Sequence, residues 1–234
     1  MISEFGLLND KYRQCSGLRI IQKSEPIRKA YYVFSANFTE LKQALNFYSD
    51  PMNIGVIWSE KNRDKLESLV LEILRFLHNF TASVKSLVDH SRIIMKELYK
   101  DQPFLIEYQR RVEEVFSDDF SKFIQKLRDY VLHNRLPAAT PTFKWSQSQE
   151  FDNQIILHRD HLLEWSGWCS QSKKYLSEQG EQLNLDTLIT EYNDKVNSFY
   201  GWFETAQNDI HKIEFEEMNR LYDCLVELQS KNEF

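Results

Sequence analysis

From residue 59 to residue 99 the chain carries neither Gly nor Pro, and its apolar residues keep helical time throughout. Leu66, Leu69, Ile73, Leu77, Phe80, Val84, Leu87, Ser91, Ile94 and Leu98 recur at alternating steps of three and four, with one polar interruption at Ser91. That period places all of them on one helical face. A helix of such length extends roughly 60 Å at 1.5 Å per residue, more than one compact core needs. It therefore has to pack along partners for most of its length. With Gly 6 and Pro 5, the rest of the chain also has few turns. An apolar share of 42% is enough to bury a sizeable core.

The expected fold is all-α: one domain over residues 1–234, a mostly antiparallel bundle of long helices with a small insertion at 137–158. Residues 1–25 give a weak pattern broken by Gly6, Gly17 and Pro26, with residues 18–21 either a short strand or nothing regular. A short helix is expected over 37–48, stopped by Ser49-Asp50-Pro51. Asp101-Gln102-Pro103 breaks the long helix, and another runs over 104–116. Ser117-Asp118-Asp119 reads as a cap that starts or restarts a helix bearing Phe120, Phe123, Ile124, Leu127 and Val131. That helix should lie antiparallel to the long one. The insertion, with a polar segment at 146–149, reads as a β-hairpin or an ordered loop. A helix over 159–177, ended by Gly180, and a last long run from 185 towards 228 complete the chain. Gly201 inside that run suggests close helix packing.

Chemistry is suggested at residues 127–134, LRDYVLHN, where the helix ends before Pro137. Asp129 and His133 are four apart and share a helical face, so the carboxylate could fix the imidazole tautomer. Arg128 is about 140° round an ideal helix from His133. The two meet only if the last turn loosens or a second chain supplies one of them. An Arg fork suits a phosphate, and a nearby His suits proton transfer on it. Asn134, directly after, is a further polar candidate.

This stretch resembles the R-x4–6-H motif of the HEPN superfamily, all-helical domains among which many are metal-independent endoribonucleases. Asp129 fits that family's preference for Asn, Asp or His directly after the Arg. The resemblance implies Arg128 and His133 as a catalytic pair, Asp129 in support, RNA as substrate, and a homodimer whose motif helices face each other across a dyad. Two further stretches, LHNFTASVKSLVDHSR and the segment through HRDHLLEW, resemble uncharacterised bacterial helical proteins. The alternative is that Arg128 and Asp129 are solvated helix charges and that His133 interacts with the helix dipole. The chain would then be a non-catalytic module that dimerises or binds a protein or ligand.

Beside the long seam runs a polar stripe, Asn79, Ser83, Ser86 and His90. It either faces Arg128 and His133 and lines a cleft, or is an ordinary polar flank. His158 and His161, with Asp160 and Cys169, invite a metal reading, but no second ligand pair stands nearby, so no metal is expected. None of the 6 His has Glu three positions before it, which sets aside a ferritin-like di-iron centre. No GxGxxG, Walker loop, GxSxG or HExxH occurs, and no cofactor is expected. A formal charge of −6 argues against a general nucleic-acid surface, DNA included, yet leaves room for a small basic site. Cys15, Cys169 and Cys224 form no framework spacing, which favours a reduced cytoplasmic setting. No apolar run of about 18 residues predicts a membrane span.

Overall fold

Ile20, Ile27, Ala30, Phe34, Leu41, Leu45 and Tyr48 are all buried, at steps of three, four and seven residues. They belong to one helix, α2 (Ser16–Ser49), preceded by α1 (Glu4–Gln14). The expected strand at 18–21 is therefore helix, and the short helix over 37–48 is the last part of a 34-residue one. Pro26 lies within it. A proline costs an interior helix about 3 kcal/mol through a missing N–H and a ring clash. Burial of the face either side of it outweighs that cost, at ~1.5–3 kcal/mol per large apolar side chain.

The protein is seen in a computed structural model that describes residues 4–145 and 151–232. After α2 come a short turn of helix, α3 (Ile54–Ile57), and the long helix α4 (Arg63–Tyr99). Then follow α5 (Pro103–Phe116) and α6 (Asp119–His133). Two strands, β1 (Ala139–Trp145) and β2 (Phe151–His158), lead to α7 (Arg159–Leu163) and α8 (Ser170–Glu178). The chain continues through β3 (Gln182–Asn184), α9 (Leu185–Ile210) and α10 (Lys212–Asn232).

The seam on α4 is buried from Ile73 to Ile94, and Ser91 donates to the Leu87 carbonyl while pairing with the Tyr200 hydroxyl. Phe80 packs on Phe34 and Phe38, whereas Ile93 and Ile94 face Pro26 and Ile27. Early α2 thus meets late α4, and the two run antiparallel. α9 is antiparallel to α2 as well: Tyr31 donates to Asn197, and further along Lys42 pairs with Asp186. α5 crosses back over α9, with Phe104 stacked on Phe203 and Phe116 edge to face with Phe199. α6 packs against α8 through Phe123, which contacts Tyr175 and Trp168. α1 packs on α10, and α10 on α2.

The insertion is a hairpin, with Ala139 opposite Leu157 and Trp145 opposite Phe151. The polar segment at 146–149 lies outside the described residues. A third strand, β3, was not expected: Leu183 pairs with Leu157, making β2 the middle of an antiparallel sheet. That explains the unbroken run Ile155-Ile156-Leu157, buried on both faces of the sheet rather than alternating.

Two other expectations are corrected. The helix over 159–177 is split, because Trp168 turns inward to donate its indole N–H to the Leu162 carbonyl, 2.7 Å away. Gly167 allows that turn: a Cβ there would sit 2.3 Å from the Trp165 ring. Gly201 is no close-packing point. It is exposed and a Cβ would meet nothing within 4 Å. The close approach is at Gly17, read as a breaker, where a Cβ would lie 2.4 Å from the Glu214 carbonyl oxygen of α10.

Candidate functional site

α6 begins at a strong cap. The Asp118 carboxylate accepts from the Ser121 N–H and hydroxyl, at 3.0 and 2.8 Å, and from Lys195 of α9 at 2.7 Å. Burial raises the Asp118 pKa, but these bonds outweigh it and hold the carboxyl below the usual range. From this anchored start, Phe120, Phe123, Ile124, Leu127, Tyr130 and Val131 face the core. The intervening Lys122, Gln125, Lys126, Arg128 and Asp129 are left half-buried at the edge of α4.

There α4 and α6 enclose a pocket of about 250 Å³, lined by Val84, Lys85, Val88 and Arg92 on one side. Lys122, Gln125, Lys126, Arg128 and Asp129 line the other, with Cys169 at its edge. The Asp129 oxygens are both taken: Arg128 Nη1 donates to Oδ1 and Lys126 Nζ to Oδ2, each at 2.9 Å. Burial works against ionisation of Asp129, but these two cations prevail and lower its pKa. Arg128 is 27% exposed at its side chain, and its Nε is buried with no partner among the described residues. Lys85 and Arg92 share Asp89. The pocket is thus rich in cations on a chain of formal charge −6.

The expected constellation is only partly brought together. Arg128 and Asp129 meet, but the carboxylate of Asp129 bonds Lys126 and Arg128 rather than His133. His133 and Asn134 are exposed at the α6 terminus and line none of the cavities described here. The helix end is closed by Arg135, which donates to the Tyr130 hydroxyl at 3.1 Å and pairs with Glu164.

The polar stripe on α4 does not face α6. His90 lines a pocket against Arg19, Lys23 and Pro26 of α2. Its Nδ1 lies 2.8 Å from the Ser86 carbonyl oxygen. Ser83 is buried and donates to the Phe80 carbonyl, and Asn79 is half-buried. A seam has two flanks, and here α2 takes the one bearing His90 while α6 takes the one bearing Lys85, Val88 and Arg92.

Lys85, Lys122 and Lys126 were not singled out from the sequence, and Cys169 was considered only as a metal ligand beside His158 and His161. The step of four from Lys122 to Lys126 was a readable signal that they share a face. Cys169 lies at the start of α8, its Sγ 3.1 Å from the Ser172 hydroxyl. Burial raises its pKa, but bonds from Ser172 and the Gln171 N–H, with Lys126 nearby, bring the thiol below its ordinary range. Cys169 does not gather with His158 and His161, whose rings lie 5.4 Å apart, with His158 Nε2 at 2.7 Å from the Thr140 hydroxyl. Among the described residues, no three His, Cys, Asp or Glu side chains are grouped as metal ligands would be. No helix there is long and apolar enough to cross a membrane.

In comparisons with known proteins, no family model matches the chain, and no curated protein or solved structure does either.

Proposed function

We propose that this chain is a ligand-binding helical protein that takes an anion in the pocket around Arg128, without a complete catalytic centre in one copy. The observation that carries this is the half-buried Arg128 guanidinium, fixed by Asp129 with its Nε unpartnered, among Lys122, Lys126 and Arg92. A preset guanidinium favours oxyanions through charge-assisted, planar hydrogen bonds. The test is calorimetric titration with inorganic phosphate and pyrophosphate at low salt, repeated with chloride. Binding weakened about tenfold in Arg128→Ala, the scale of one lost charge-assisted bond, supports the reading. Heat that is unchanged in that variant, or absent from wild type, refutes it.

A second reading, a metal-independent endoribonuclease, is favoured by the exposed ring of His133 on the same helix as Arg128. It needs a homodimer in which a second copy brings His133 to the Arg128 pocket. There His133 would take the 2′-hydroxyl proton as that oxygen attacks phosphorus. The 5′-oxygen would leave taking a proton from water, and a 2′,3′-cyclic phosphate would remain. Single-stranded RNA incubated with EDTA tests it. Cleavage that falls about 10²–10⁴-fold in His133→Ala, by a protein that sediments as a dimer, favours this reading over the first. No cleavage by wild type removes it.

A further inference from the structure

Beyond the Arg128 pocket the same cleft deepens. Arg92, Lys122 and Gln125 also line a second cavity, of about 530 Å³, between α4, α5 and α9. Its walls are apolar because three seams converge there. Val84, Leu87 and Met95 come from α4, Tyr108 and Phe116 from α5, and Val196 and Phe199 from α9. The aromatic walls are locked edge to face, Tyr108 on Phe199 at 5.7 Å and Phe116 on Phe199 at 5.4 Å. Inside, the Tyr200 hydroxyl is held by Ser91.

The rim has the opposite character. Arg92 and Lys96 of α4 and Lys100 at its C-cap follow one another at steps of four, and Lys122 stands on α6, against two carboxylates, Glu113 in the lining and Asp89 beside Arg92. The cleft between α2, α9 and α10 is larger, about 760 Å³, but its lining holds one cation, Arg28, and one carboxylate, Glu204. A volume of this size suits a small organic ligand, which such cavities hold by apolar walls and orient by a few polar groups. A bare inorganic anion would leave the aromatic interior unfilled. A neutral apolar molecule would gain nothing from the rim.

We propose that this cavity binds a small amphipathic organic anion, its apolar body against Tyr108, Phe116 and Phe199 and its acid group at Arg92, Lys96 and Lys122. The proposal rests on the reading of the adjoining pocket as an anion site and names the class of ligand that enters it. Both a carboxylate and a phosphate ester carry the required chemistry.

The test is calorimetric titration of the full chain with decanoate, decyl phosphate, decanol and inorganic phosphate, all below micelle formation. Either or both decyl anions should bind, and decanol at least about tenfold more weakly, as expected for loss of a charge-assisted contact. The relative affinities of decanoate and decyl phosphate identify the acid group. The exposed pair Arg92→Glu and Lys96→Glu should weaken the decyl anions about tenfold while leaving decanol unchanged. Val112→Trp, on the α5 wall, should block the decyl anions and spare inorganic phosphate; circular dichroism confirms its fold, and the charge-reversal pair decides if it does not fold. Decanol binding as tightly as decanoate overturns the proposal. Decyl anions binding no more tightly than inorganic phosphate also overturn it, though the Arg128 reading then stands. No binding by any anion removes both.

Discussion

Replacing Asp118 by Ala removes three interactions at the point where α5 ends and α6 begins. The cap to the Ser121 N–H is lost, which costs about 1 kcal/mol in a typical helix and up to about 2. The Ser121 hydroxyl, fully buried, loses its 2.8 Å acceptor. A buried donor left without its partner costs about 1–3 kcal/mol. Lys195 keeps its 3.4 Å contacts to the Ser121 hydroxyl oxygen and the Val115 carbonyl, but as a donor it does not replace the acceptor that the Ser121 O–H loses. Because one carboxylate serves all three, the losses overlap, and the expected total is about 2–3 kcal/mol. Asp118→Asn keeps an acceptor for the cap and should lose about 1 kcal/mol or less.

Urea unfolding at pH 7 measures these values, with the slope unchanged and the midpoint lowered. The pH dependence supplies an independent check. The folded pKa of Asp118 is depressed, so its contribution is fully present above the unfolded carboxylate value of about 3.9 and is lost as pH falls through the lower folded value. The gap between wild type and Asp118→Ala should therefore be constant near neutrality and narrow in acid below about pH 4. A loss under about 0.5 kcal/mol at pH 7, or a gap that widens in acid, would refute the reasoning.

Pro26→Ala should raise stability by about 1–3 kcal/mol, because the residue is exposed within α2 and its replacement restores an N–H donor; a lowered urea midpoint would contradict the cost assigned to Pro26. Gly17→Ala should loosen α10 from α2, since the added carbon meets backbone 2.4 Å away; hydrogen exchange should accelerate in α10 while α4 stays protected. His211, at the α9–α10 junction, accepts or donates at Nε2 with the Tyr99 hydroxyl at 2.9 Å, and burial lowers its pKa against the opposing pull of Glu214. Its contribution is thus present above the unfolded value of about 6.5 and lost as pH falls through the lower folded one, so α10 protection should drop between pH 7 and 5 in wild type and less so in His211→Gln.

The long α4 seam was legible because ten positions repeat the same period with no Gly or Pro to interrupt them. α2 carries an equally regular buried face, but Pro26 and Gly17 were read as breaks. Local rules report what a residue costs, and only the assembled core reveals what offsets that cost. β3 is three residues long and gains its identity from pairing with β2, so no periodicity announced it. The split between α7 and α8 likewise depends on where Trp168 finds a carbonyl. At the candidate site, Arg128 and Asp129 were legible as candidate residues, but the partners of Asp129 were not. His133 is one helical turn away and was the natural choice by spacing, yet the longer arms of Lys126 and Arg128 reach the carboxylate first. Which flank of α4 would face α6 was equally hidden, because a seam looks the same from either side until its neighbours are placed.

The pairing of α1 with α10, through contacts such as Tyr12 on Tyr222, joins the first described helix to the last. On a chain made from its N-terminus, this contact cannot form until α10 has emerged, about 200 residues after α1. Until then α1 has no α10 to cover it, and the part of α2 around Gly17 lacks its cap of Glu214 and Met218. Contacts so distant in sequence are slow to close, since the intervening chain must first be ordered. The bundle around α4 can assemble ahead of them, leaving the α1–α10 pair as a clasp fastened onto a bundle already formed.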